Sequence, residues 1–330
     1  MKKRSILFIF GILSILFILG CETISNLDES RTQTQDAAPE PAKEITQQEE
    51  KIFAEPSANT SNNSQSQNDS GTIKIATFNI QVFGTAKAAK KDVVEILKKI
   101  VRKFDIVAVQ EFRDSSGTVI PFFLNEINSM NGSRFDVVSS ERLGRTSSKE
   151  QYAFFFNKDK ISYKNGTAYV FADVNDSFER EPFVAQFQSG NFDFALANIH
   201  TKPEDATREI NKLDDVVIDF LSKYPNETDI IVLGDYNADC TYFKENNLTQ
   251  KFLDAKYFWA VENFADTTTK STNCTYDRIV FLGNFTGEDF TGRWEVVRFD
   301  TEYNLTQNFT EKVSDHYPVW ADFWIAKDAD

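Results

Sequence analysis

The chain has 330 residues and only two histidines, and each sits among groups that could work with it. His316 follows Asp315 in SDHYPVWADF, and His200 closes the apolar run FDFALANIH. Acids and amides collect at equivalent places. Asn79 breaks the pattern of TIKIATFNIQ, Glu111 ends DIVAVQE, Asp235 and Asn237 end DIIVLGDYN, and Asp277 opens DRIVF. Strand ends are rigid platforms from which short side chains converge. Carboxylates and carboxamides suit a hard, oxygen-coordinated cation such as Mg2+, and imidazoles suit proton transfer near neutral pH. Together they describe metal-assisted hydrolysis of a phosphoester. Taken singly, a strand-end acid is more often a turn or cap residue, and a lone histidine a satisfied structural group. The constellation in its order argues against accident.

The elements that must carry these residues are legible as periodic patterns. Residues 72–81 alternate apolar and polar, as a half-buried strand does. Residues 89–104 place Val93, Val94, Ile96, Leu97, Ile100 and Val101 at helical spacing with lysines opposite, and residues 206–224 form a second amphipathic helix. Short apolar strands are expected at 105–112, 152–157, 183–188, 192–200, 229–240, 275–283 and 316–325. Several of these strands follow one another through short turns while others alternate with helices. That mixture predicts mixed sheets with helices outside rather than a purely parallel doubly wound sheet.

Three regions divide the chain. Residues 1–21, MKKRSILFIFGILSILFILGC, have a basic head and an apolar run shorter than the roughly 20 residues that span a bilayer. They read as an export signal of lipoprotein type ending at Cys21, with an uncleaved anchor as the alternative. Residues 22–70 are rich in Gln, Asn, Ser, Thr and Glu, cannot bury enough apolar surface to order themselves, and read as a tether. Residues 71–330 are the folded domain. With Cys21 set aside for a lipid, Cys240 and Cys274 remain as a pair, expected to be bridged outside the cytoplasm. The net charge of −14 gives no long-range attraction for a polyphosphate. A nucleic-acid substrate would need divalent cations and a local basic strip.

TFNIQVFG, DIVAVQEFRD, NIHTKPEDA, LGDYNADC, STNCTYDRIV and SDHYPV together resemble, in order, the motifs of the deoxyribonuclease I family, within the endonuclease/exonuclease/phosphatase superfamily. The resemblance runs from about Ile73 to Phe323. It implies a four-layer α/β sandwich, two mixed β-sheets packed face to face with helices outside. It further implies that Asn79, Glu111, Asp235, Asn237 and Asp315 hold Mg2+ (or Mn2+) and the phosphate. His200 and His316 would flank the scissile phosphorus, oriented by Glu150 and Asp277 respectively. Cys240 and Cys274 match the family disulfide. Calcium is implied at Asp176, the Phe178 carbonyl and Glu181, and at Asp266 and Thr268. Arg113 and Arg145 match DNA-groove contacts and Arg180 a phosphate contact. Three departures stand out: Gln81 replaces an arginine, Ser148 a sugar-packing tyrosine, and Lys270 a threonine. The leading expectation is an exported, lipid-tethered, monomeric endonuclease acting on double-stranded DNA with little sequence preference. The alternatives are a phosphodiesterase for RNA, nucleotides or phospholipid head groups, and an inactive surface-binding module.

Overall fold

The computed structural model describes residues 71–132, 134–243, 251–326 and 328. Cys21, the export signal and the tether to residue 70 lie outside these residues. Among the described residues no helix is long and apolar enough to cross a membrane.

Two mixed sheets form the middle of the fold. In the first, the strand order is Phe290–Val296, Val319–Trp324, Thr72–Phe83, Ile106–Phe112, Gln151–Asn157 and Phe135–Ser139. In the second it is Tyr257–Trp259, Asp277–Leu282, Ile230–Asp235, Phe192–His200, Phe183–Ser189 and Ser162–Tyr163, with Tyr169–Val170 also pairing with Phe183–Ser189. Each sheet contains one parallel pair, Thr72–Phe83 with Ile106–Phe112 and Phe192–His200 with Ile230–Asp235; the other pairings are antiparallel. One apolar cluster fills the space between the sheets. A second lies between the first sheet and the helices Lys91–Val101 and Val119–Asn128, and a third between the second sheet and the helix Ala206–Lys223. This is the expected four-layer sandwich of two mixed sheets.

The period-2 alternation of strands explains where the site falls. Ile73 and Ile75 face the other sheet, while Ala76, Phe78 and Ile80 face the helices. Continuing the inward row gives Thr77 and then Asn79. Phe192, Phe194 and Leu196 lead to Asn198 and His200, Ile231 and Leu233 to Asp235, and Phe281 and Ile279 back to Asp277. Each inward row turns from apolar to polar at the same end of the sandwich. Just inside that end, Gln110 Nε2 donates to Asn198 Oδ1 (2.7 Å) and Thr77 Oγ1 (2.9 Å), while Asn198 Nδ2 donates to Val109 O (3.1 Å). An unpaired amide buried here would cost about 1–3 kcal/mol, so these bonds fix the spacing of the two sheets beneath the site.

Local backbone features aim the outer residues. Glu111 stands at φ 69°, where the pairing of its strand shifts register between Val109 and Phe112. The shift departs from strict alternation and turns the carboxylate toward the cleft. Gln81 and Val82 also have positive φ, 47° and 48°, at a cost of about 1–3 kcal/mol each. Lys87 offsets part of this by donating Nζ to the carbonyls of Ile80 and Gln81, both at 2.8 Å. Gly234 has φ 152°, and a Cβ there would lie 1.8 Å from Ile199 O. Only glycine lets these parallel strands approach with His200 opposite Asp235. Cys240 and Cys274 are disulfide-bonded with Cα atoms 5.9 Å apart. Closing this loop contributes about 3–4 kcal/mol on the chain-entropy model and ties the segment after Asn237 to the one before Asp277.

Candidate active site

His200 Nδ1 lies 2.8 Å from Glu150 Oε1, and His316 Nδ1 lies 2.8 Å from Asp277 Oδ2. Both carboxylates are fully buried. Each fixes its imidazole so that Nε2 is the free nitrogen, and each stabilises the cation formed when Nε2 takes a proton. The two Nε2 atoms converge on one oxygen: His200 Nε2 is 3.4 Å and His316 Nε2 3.5 Å from Asp235 Oδ2. Asn79 Nδ2 donates to the same oxygen at 3.0 Å and to Glu111 Oε1 at 3.2 Å. Asp315 Oδ1 stands 4.0 Å from His316 Nε2. The backbone holds these groups in place: Val82 N donates to Glu111 Oε2 (2.7 Å), Gln81 N to Asn79 Oδ1 (2.9 Å) and Asn237 N to Asp235 Oδ1 (3.0 Å).

A model of the endonuclease/exonuclease/phosphatase family matches residues 76–316. Deoxyribonuclease-1 of Bos taurus is 37% identical over 259 residues, covering 75% of this chain and 91% of that protein. Deoxyribonuclease gamma of Homo sapiens is 35% identical over 260 residues, covering 75% and 84%. The chain is a deoxyribonuclease I-like member of the endonuclease/exonuclease/phosphatase family. Among solved structures, D. rerio TDP2 complexed with single strand DNA product superposes with a TM-score of 0.54 at 17% identity, covering 77% of this chain and 99% of that one. At that identity the likeness speaks to the fold alone.

Members of this family would be expected to place a divalent cation in the cleft, and the donor chemistry here fits one. Glu111, Asp235 and Asp315 offer hard carboxylate oxygens around Asn79, and ligand atoms of Asp235, Asp277 and His316 lie within 4.8 Å of one another. Glu111 shares its charge with Arg113, whose Nε is 3.4 Å from Oε2 and 3.6 Å from Glu150 Oε2.

The carboxylates shape the proton affinities of the histidines. Burial opposes a charged His200, yet the Glu150 carboxylate, helped by Asp235, outweighs it and raises the pKa above the ordinary histidine value. Burial likewise opposes a charged His316, and Asp277, Asp235 and Asp315 together raise it well above that value. Burial works against the Glu150 carboxylate too, but His200, Arg180 and Arg113 hold its pKa below the usual range. A raised pKa keeps an imidazole protonated to higher pH, so removing its carboxylate must lower the pKa again. Glu150→Gln should therefore move one limb of the pH–rate profile to lower pH, and Asp277→Asn should move the other limb the same way. Profiles that shift upward, or in which both variants move the same limb, contradict this pairing.

The remaining sequence candidates are placed as follows. Arg180, expected at a phosphate, is buried: Nε and Nη2 donate to His200 O at 3.1 and 2.9 Å, and Nε lies 3.4 Å from Glu150. It supports the His200 pair from behind. Arg145 pairs with the Asp176 carboxylate at 3.0 Å, while Asp173, not Asp176, accepts the Phe178 N–H at 2.7 Å. Glu181 is half-buried nearby in sequence. Asp266 Oδ1 accepts the N–H and hydroxyl of Thr268 at 3.1 and 2.9 Å. Neither candidate calcium loop gathers three acidic or histidine ligands among the described residues. Asn237 Nδ2 donates to Thr201 O at 3.1 Å, tying the Asp235 loop to the one after His200. A cavity of about 310 Å³ runs beside His200, lined among others by Arg113, Ser148, Arg180 and Lys202.

Three further residues support the site in ways that the sequence did not indicate. Tyr152 OH accepts His200 N at 2.9 Å, and Ser314 Oγ donates to Asn79 O at 2.7 Å. Lys87 is the third, its pKa lowered by burial to about 8 although Asp315 and Glu111 push the other way. Ser314 had a signal, lying within the SDHYP motif. Lys87 had none, since a lysine in a lysine-rich stretch reads as solvated.

Proposed function

We propose that the protein is an exported, membrane-tethered endonuclease that hydrolyses phosphodiester bonds of DNA with little sequence preference and depends on Mg2+ or Mn2+, with Ca2+ as a further ion. The observation that carries this reading is the convergence of two carboxylate-backed imidazoles on Asp235 Oδ2. Relatives at this similarity named deoxyribonuclease support DNA as substrate. The Cys240–Cys274 disulfide suits an oxidising compartment, and the Cys21 motif supports a lipid tether.

A cation held by Glu111 and Asn79, with Asp235 and Asp315 at hand, would neutralise phosphate charge as it grows. The chain's own residues do the rest. A phosphodiester in the cleft presents an attacking water to one imidazole and O3′ to the other. The first Nε2 accepts a proton as the water oxygen bonds to phosphorus. The second, already protonated, donates to O3′ as the P–O3′ bond breaks, leaving a 5′-phosphate and a 3′-hydroxyl. Arg113, which lines the cavity beside His200, would meet the sugar–phosphate backbone.

The substrate class is tested by comparing kcat/KM for duplex DNA, RNA and a glycerophosphodiester at the same Mg2+ concentration. Duplex DNA is expected to be the best substrate. Faster cleavage of RNA or of the head-group diester would reassign the substrate while leaving the chemistry in place.

A further inference from the structure

The loop from Thr267 to Thr272 is fastened to the catalytic segment of the last strand. Tyr317 N donates to Thr267 O (2.7 Å), Thr269 N to Asp315 O (2.9 Å) and Thr269 Oγ1 to Ser314 O (2.9 Å). Thr268 and His316 form a β-bridge, and Gln307 Nε2 donates to Thr269 O at 2.6 Å. The next residue, Lys270, is therefore presented from a backbone that cannot drift relative to His316. Its side chain is 55% exposed and extends to the cleft, where Nζ lies 3.0 Å from Asp315 Oδ2.

Two features make this more than a surface ion pair. First, the cleft is walled by carboxylates in an acidic protein, so a polyanion needs cations of the chain on both sides of the reacting phosphate. Arg113 and Lys202 line the cavity on the His200 side; Lys270 stands on the His316 side. Second, an exposed lysine–carboxylate pair is weakly held, and lysine is a point charge on a flexible stem that can change partners.

We infer that Lys270 is a substrate-contacting residue, whose ammonium exchanges Asp315 for the phosphate next to the scissile one on the His316 side. This rests on the nuclease reading above.

The test is the salt dependence of kcat/KM for duplex DNA, measured with the full chain at saturating Mg2+ for wild type, Lys270→Thr and Lys270→Arg. One phosphate contact contributes about 0.9 to the slope of log kcat/KM against log salt on B-form DNA, so Lys270→Thr should flatten the slope by about that amount and Lys270→Arg should restore it. On bis(p-nitrophenyl) phosphate, which has no flanking phosphate, all three should have the same kcat/KM. An unchanged slope in Lys270→Thr overturns the inference. So does an equal fall on both substrates, which would make Lys270 only a support for Asp315. A wild-type chain that leaves duplex DNA intact overturns the nuclease reading itself, and this inference with it.

Discussion

His200→Ala and His316→Ala are each expected to lower the rate of duplex cleavage about 10²–10⁴-fold, the usual contribution of a positioned acid or base. Each loses the one nitrogen that faces Asp235 Oδ2 from its side. The two variants should differ in stability. Without His200, buried Glu150 still has Arg180 at 3.4 Å and Arg113 at 3.6 Å, and the melting temperature should hardly move. Without His316, Asp277 keeps its carboxylate fully buried with no other cation in ion-pair reach among the described residues, a situation that costs about 1–3 kcal/mol or more. His316→Ala should therefore melt lower than His200→Ala. His316→Gln separates the effects by refilling the space and offering Asp277 a donor. Recovery of stability without recovery of rate is the expected result. Either alanine variant cutting at near the wild-type rate would remove that histidine from the mechanism.

The second large effect is expected at Glu111. Its carboxylate is aimed by a positive-φ residue at a register shift and held by the Val82 N–H, so the fold invests backbone strain in its direction. Even the partners of metal ligands typically change affinity or activity 10–100-fold, and a ligand should do at least as much. Glu111→Gln is predicted to raise the Mg2+ concentration for half-maximal rate by at least about tenfold. Calorimetric titration of the protein with Mg2+ alone, without substrate, should show the same loss of affinity. Unchanged Mg2+ affinity with reduced rate would make Glu111 a substrate contact instead of a cation ligand.

Much of this site can be read from the residues because strand alternation is simple. The rows Ile73-Ile75-Thr77-Asn79 and Phe192-Phe194-Leu196-Asn198-His200 announce in sequence that an apolar interior gives way to polar groups at one end. The amphipathic helices at Lys91–Val101 and Ala206–Lys223 were equally legible, because buried and exposed positions there follow the helical period. Other features depend on contacts between distant segments. The helix Val119–Asn128 carries Pro121 and adjacent phenylalanines, a composition with no clear helical stripe. The strand Phe290–Val296 includes Gly292 and several exposed polar residues, and it lies at the edge of its sheet, paired on one side only. Arg180 reads as a phosphate contact, and its burial against Glu150 and the His200 carbonyl, at the edge of the same cavity, depends on segments distant in sequence. Lys87 disappears from view for the same reason: its two carbonyl acceptors exist only once Gln81 and Val82 adopt their strained conformation.

The central claim is that two carboxylate-backed histidines and a divalent cation cut DNA in the interior of the chain. Incubating supercoiled plasmid with purified residues 71–330 in Mg2+, with and without excess EDTA, tests it most directly. Nicked circles followed by linear DNA in Mg2+, with untouched plasmid in EDTA and with His200→Ala or His316→Ala, is the predicted result. Plasmid that stays supercoiled in Mg2+, or is nicked equally well in EDTA, would contradict it.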